Sequence, residues 1–225
     1  MTTKQAEKIG KGLLPDLPGF VAGGKMVFKS PLEDFLCGLY FENTSDANCF
    51  HLWVFFLPLF IPNDGVSFNY GKRIGNAVNW RLDNPNLLVD LRAVIHCEAI
   101  PFLNSVSTLA GVLNFLKADV EMDRQRVNPH TLEALACTLI KNGDYSPALE
   151  VLDELKQRFS KSTTPWVLEL AARAGSVEEK LLPKPEVALA QLEIWKAETI
   201  DKLGLEKYCN RSASTPNLSS ARVTP

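Results

Sequence analysis

The densest apolar run in the chain is Cys49 to Pro62, C-F-H-L-W-V-F-F-L-P-L-F-I-P. In an extended conformation Phe50, Leu52, Val54 and Phe56 share one face, and His51, Trp53, Phe55 and Leu57 share the other. Both faces are largely apolar, the pattern of a strand covered on two sides rather than of a half-wetted edge. The Phe and Trp content also favours strand over helix. The spacing therefore predicts a central strand over Phe50–Leu57. Pro58 lacks a backbone donor and should end or loosen the pairing, leaving Leu59–Ile61 as a bulged or edge continuation.

Period-two alternation recurs on either side. Gly23-Gly24 can turn a hairpin into Lys25–Lys29, which places Met26 and Phe28 on one face. Phe35–Glu42 reads as the next strand, and the polar run Asn43–Asn48 turns it into the central one. After the turn signal Asn63-Asp64-Gly65, Val66–Tyr70 alternates as a further strand. The first third is thus predicted to be an antiparallel meander of about four strands, preceded by a short helix at 4–13 that Gly10 and Gly12 should interrupt.

Gly71–Asn84 shows no period, and the pattern then becomes helical. A helix is expected to start at Asn84-Pro85, to carry Leu88, Leu91, Ile95 and Phe102, and to kink or end at Pro101. A second, capped by Ser107, carries Leu109, Val112, Leu113 and Leu116. Residues 118–127 are charged and are expected to link two lobes. Beyond them Asn128-Pro129, Ser146-Pro147 and Thr164-Pro165 each place a capping residue before a first-turn proline, with Lys184-Pro185 a weaker version. Asn142-Gly143 and Gly175 are expected stops, Ser176-x-x-Glu179 a further cap, and a last helix over about 185–203 should stop at Gly204. The fold class expected is α+β. Residues 1–117 form a sheet flanked by helices, 118–209 an antiparallel helical array, and 210–225, rich in Ser, Thr and Pro, a disordered tail.

Composition narrows the function classes. With 225 residues, 46% apolar and 22% charged, the chain can bury a proper core. A net charge of −2 offers no electrostatic case for nucleic acid or for an anionic membrane surface. The eleven residues Leu52–Pro62 fall short of the ~20 that a membrane-spanning helix needs, and the N-terminal M-T-T-K-Q-A-E-K lacks the apolar run of a secretory signal. A cytoplasmic location is expected. Cys37, Cys49, Cys97, Cys137 and Cys209 are scattered, odd in number and without a C-x-x-C pair, which argues for reduced thiols rather than a disulfide framework or a zinc site.

Residues 129–160 resemble a single tetratricopeptide-type hairpin. Leu132, Leu135, Ala136 and Leu139 would lie on its first helix, followed by Gly143, Tyr145, Ala148, Leu152 and Leu155 in the order G-x-Y-x-x-A that this repeat takes. Leu132 stands where the repeat carries tryptophan, and Ala136 where it carries glycine. The resemblance implies two closely packed helices and, in longer arrays, a peptide-binding groove. The first 75 residues, with their Gly19-Phe20 turn and run of strands, resemble small bacterial domains of the toxin-immunity type.

No recognisable catalytic constellation is present. The sequence has no G-x-S-x-G, H-E-x-x-H or G-x-G-x-x-G. His96 and Cys97 are adjacent, so on a helix they point ~100° apart. His51 sits inside the apolar strand and His130 at a helix start. Asp119, Glu121 and Asp123 alternate as in a calcium loop but lack its glycine and terminal glutamate. Gly71-Lys72-Arg73-Ile74-Gly75 has the glycines of a phosphate cradle without its Ser or Thr. Arg211–Pro216 reads as an R-S-x-S-x-P phosphoserine motif centred on Ser214. The expectation is a non-enzymatic interaction protein, without cofactor or metal, that binds a protein partner. Its surface would draw on Trp53, Leu57, Leu59, Phe60, Ile61, Trp80 and Trp166, because interfaces favour apolar patches and tryptophan. An immunity protein is one concrete form. The alternatives are an enzyme pairing His51 or His96 with a cysteine or carboxylate between the two lobes, and a small-ligand carrier with a sizeable apolar cavity between sheet and helices.

Overall fold

The computed structural model describes residues 1–75 and 79–209. The tail from residue 210, with the Ser214 motif, lies outside the described residues. Helix α1 (Thr3–Leu13) leads into β1 (Phe20–Gly23), β2 (Met26–Lys29), β3 (Phe35–Asn43), β4 (Cys49–Pro58), β5 (Gly71–Ile74) and β6 (Trp80–Arg81). The helices α2 (Leu87–Val94), α3 (Ile100–Ser105), α4 (Leu109–Met122), α5 (Pro129–Asn142), α6 (Tyr145–Phe159), α7 (Pro165–Leu181) and α8 (Pro185–Lys202) follow. The class is α+β, as expected.

Among the described residues the strands form one antiparallel sheet in the order β1-β2-β3-β4-β5, with β6 also paired to β4. The register sets Leu39 opposite Val54 and Cys37 opposite Phe56. As its sequence indicates, β4 is interior and covered on both faces. Phe50, Leu52, Val54 and Phe56 join the main core with α1 to α5. Phe55 and Leu57 face a second core closed by Ile200 and Leu205 from the chain's C-terminal end. The sheet is therefore sandwiched between a thick helical layer and a thinner cover supplied by the last helix.

Several expectations need correction. The strand that follows the central one is Gly71–Ile74 rather than Val66–Tyr70. Phe68 instead lies over the sheet, stacked on Trp53 with ring centroids 4.6 Å apart. Leu59–Ile61 is not a strand continuation but a buried turn, held where Thr199 Oγ1 donates to the Ile61 carbonyl at 3.0 Å. Helix α1 is not interrupted. A Cβ on Gly10 would come within 2.8 Å of the Val27 Cγ2, so the glycine permits close helix–sheet packing.

The helix expected from Asn84 starts instead after Asn86, and Asn84 Oδ1 accepts from the Asn86 amide at 2.9 Å. Pro101 does not end it. A π turn over Ile95–Ala99, in which the Ile100 amide donates to the Ile95 carbonyl, joins α2 to α3. The widened turn lies one turn before the proline, where its ring would otherwise meet the preceding carbonyl. Thr108 rather than Ser107 caps α4, accepting from the Gly111 amide at 3.1 Å. That helix runs to Met122, so the expected boundary at 117/118 falls inside it.

In the array, Asn128 caps α5 as expected and Gly143 ends it with φ 86°. Asp144, not Ser146, precedes α6. Gly175 does not stop α7, which continues through the expected cap at Ser176 to Leu181. The core is continuous from Met1 to Leu192, so sheet and array share one interior. Ionic clasps join them at the rim. Asp34 at the head of β3 accepts from Lys196 at 2.8 Å and pairs with Lys141 at 3.1 Å. No single helix among the described residues is long and apolar enough to cross a membrane.

Candidate interaction site

The seven expected contact residues separate into two groups. Leu57, Leu59, Phe60 and Ile61 are buried, and Trp80 is only 8% exposed. They fill the interior and offer nothing to a partner. The correction has a physical cause: Leu57 and Leu59 lie under a cover formed by Ile200, Leu205 and Tyr208, while Phe60, Ile61 and Trp80 pack into the main core.

Two tryptophans do reach the surface. Trp53 is half-buried on the outer sheet face, where its indole N–H donates to Glu42 Oε2 at 2.8 Å. Arg73 donates to the same oxygen at 2.9 Å and lies 5.2 Å above the Trp53 ring. Trp166 is 47% exposed near the start of α7 and stacks on His130, with centroids 4.9 Å apart and planes 1° from parallel. Burial and, secondarily, the Arg173 charge hold the His130 imidazole below its ordinary pKa, which favours the neutral form of the stacked ring.

Among the described residues, the histidines and cysteines singled out from the sequence are not brought together. His96 and Cys97 are exposed on the π turn. Cys37 Sγ lies 3.8 Å from the Val106 carbonyl, and Cys49 Sγ lies 3.2 Å from Asp46 Oδ2. His51 Nδ1 is buried with no hydrogen-bond partner among the described residues. Among those residues no three His, Cys, Asp or Glu side chains converge as metal ligands. Gly71–Ile74 is a strand, with Arg73 engaged by Glu42 rather than free to hold a phosphate.

The strongest surface feature is one the residue-by-residue reading missed. Helix α8 is apolar on two opposite sides. Ala188, Leu192, Thr199 and Ile200 are buried against the protein. Val187, Ala190, Ile194 and Ala197 are exposed, with Val187 46% and Ile194 53% open to solvent. Their spacing of three, four and three residues is that of the inward positions of a coiled-coil helix, which keeps one narrow stripe facing a partner. The positions flanking such a stripe are Glu186, Gln191, Glu193 and Glu198, of which the three glutamates are exposed. Glu193 is also tied back to Lys141, whereas Glu186 and Glu198 make no ion pair among the described residues. The stripe is rimmed by negative charge.

The stripe is positioned by the other side of the helix. Lys196 and Lys202 clamp it to Asp34 and Asp64, at 2.8 and 2.6 Å. Thr199 pins it to the Ile61 carbonyl. Pro185 at the first helical position and Gly204, with φ 65°, bound the helix at its two ends. Its legible signal was an excess: α8 holds more apolar residues than one core-facing side can use. The chain matches no protein-family model, no curated protein and no solved structure.

Proposed function

We propose that this protein is a non-enzymatic interaction protein whose last helix docks an amphipathic helix of a different protein. The observation that carries the reading is the exposed stripe Val187, Ala190, Ile194 and Ala197 on a helix already buried along its opposite side. An apolar seam of this spacing in water is stabilised when a second helix covers it. The glutamates at its edges select a partner with lysine or arginine at the facing positions and disfavour a second α8, whose own glutamates would repel. The tetratricopeptide-like hairpin at 129–160 fits the same reading, since a terminal helix of a stacked array presents an uncovered side. An immunity-type role, in which the partner is a toxin, is one form of it.

The test uses a synthetic helix of about three heptads with leucine at the inward positions and lysine at the flanks. The reading expects saturable binding by the full protein, loss of at least tenfold in affinity with Ile194→Glu, and no binding of a glutamate-flanked version. Equal binding of the lysine and glutamate helices, or an unaffected Ile194→Glu protein, overturns it. Melting curves of the variant establish that it is folded.

A further inference from the structure

A cavity of about 310 Å³ lies on the opposite side of the sheet from the C-terminal cover, between β1–β3 and α3. Its size is at the small end of those that hold small ligands. Leu17, Phe20, Ile100 and Leu103 supply apolar walls. The strand side is built in one row: Phe20 pairs with Lys29, and the next position in the β2–β3 register brings Lys29 beside Cys37, which pairs with Phe56. Lys29 is thus the single charge in an otherwise uncharged row at the cavity.

The charge balance of the cavity is one-sided. Asp16 at the rim is already neutralised, because Arg92 Nε donates to its Oδ2 at 2.7 Å and Arg92 Nη2 donates to the Gly12 carbonyl at 3.0 Å. Lys29 makes no ion pair and no side-chain hydrogen bond among the described residues. Asn104 and Ser107 add neutral polar groups on the helix side. At the floor the Cys37 thiol is 5% exposed, and burial pushes its pKa up to about 12 against a small opposing effect of Lys29. It stays an uncharged, apolar-like lining.

We infer that this cavity binds a small amphipathic monoanion, a medium-chain fatty or aryl carboxylate, with its apolar body against Leu17, Phe20, Ile100 and Leu103 and its carboxylate on the Lys29 ammonium. The apolar walls exclude a strongly hydrated anion, and the uncompensated cation selects the carboxylate over a neutral molecule of the same shape. The inference is independent of the α8 seam, which lies on other elements.

The experiment is calorimetric titration of the full chain with decanoate and with decanol, both below their aggregation concentrations. The expected result is saturable 1:1 decanoate binding, at least tenfold tighter than decanol. Lys29→Met should erase that difference while keeping decanol binding, and Leu103→Trp, which fills the cavity, should abolish both. Melting curves show that each variant is folded; should Leu103→Trp unfold, Ile100→Phe takes its place. Equal affinity for the two ligands in the parent protein, absence of decanoate binding at millimolar concentration, or binding unchanged by the filling variant overturns the inference. Ile194→Glu should leave decanoate binding intact, so failure of the helix-docking reading does not touch this one.

Discussion

Glu133 and Arg173 provide the sharpest test of the packing between α5 and α7. Glu133 is 2% exposed, and the Arg173 fork reaches it with Nε at 2.8 Å and Nη2 at 3.0 Å. Burial pushes the Glu133 carboxyl above its ordinary pKa, while the hydrogen bonds and charge of Arg173 pull it back. Arg173→Met removes the second influence and leaves the first. Breaking a buried pair by deleting one partner costs ~3–5 kcal/mol.

The pH dependence has a definite sign. A carboxyl whose folded-state pKa is raised adds stability that is complete below its unfolded pKa and disappears as pH rises through the folded value. In Arg173→Met the deficit relative to the parent should therefore be smaller near pH 5 than near pH 8, where it approaches the full ~3–5 kcal/mol of a broken buried pair. Urea unfolding at the two pH values measures it. The double variant Glu133→Leu/Arg173→Met, an apolar pair, should recover most of the loss and show no such pH dependence. A single-variant deficit below about 1 kcal/mol that is the same at both pH values would mean that the carboxylate is hydrated, and would refute the reasoning.

Four further outcomes are expected. Gly175→Ala should stabilise the protein by ~0.5–1 kcal/mol, because the residue sits mid-helix with only Lys156 Cδ near a new Cβ, at 3.8 Å. Gly143→Ala, at φ 86°, should destabilise it by about 1 kcal/mol, and thermal melts of both variants compare them directly. Gly10→Ala should cost ~1–3 kcal/mol despite the better helix former, since the added methyl meets Val27; a gain in melting temperature would contradict that close approach. Thr199→Val should cost about 1 kcal/mol, since it removes the buried hydroxyl donor while Asn63 Nδ2 still donates to the Ile61 carbonyl at 2.9 Å, read by urea unfolding.

The parts of the fold legible in the sequence are those set by short-range patterns. Strand β4 declared itself because both its faces are apolar, and α5 because Asn128-Pro129 and Gly143 mark its two ends. Val66 and Phe68 misled for an identifiable reason: alternation reports which side chains are covered, not which backbone groups are paired. They cover the sheet from a loop, while the pairing belongs to Gly71–Ile74, whose exposed Lys72 and Arg73 conceal it. Gly175 carries a stop signal that only a left-handed backbone would make real. Burial of Leu57 and Leu59 depends on chain some 140 residues downstream, through Ile200 and Leu205, and burial of Phe60 and Ile61 on the main core, and no local pattern could supply either. The α8 stripe was present as spacing, but which of two apolar sides faces water is settled only by tertiary packing.

The π turn before Pro101 has a consequence for the cavity wall. The buried positions Leu87, Leu91, Ile95, Ala99 and Leu103 recur every four residues, a step that on a regular helix would wind the stripe ~40° further each time. One additional residue accommodated in the wide turn cancels part of that winding, so Leu103 still looks toward the sheet. Helix α3 therefore has the phase of a chain one residue shorter. Excising exposed Cys97 together with Pro101→Ala should yield a straight helix with the same wall, whereas excising Cys97 alone would drive the pyrrolidine ring back into the carbonyl that the bulge had moved aside.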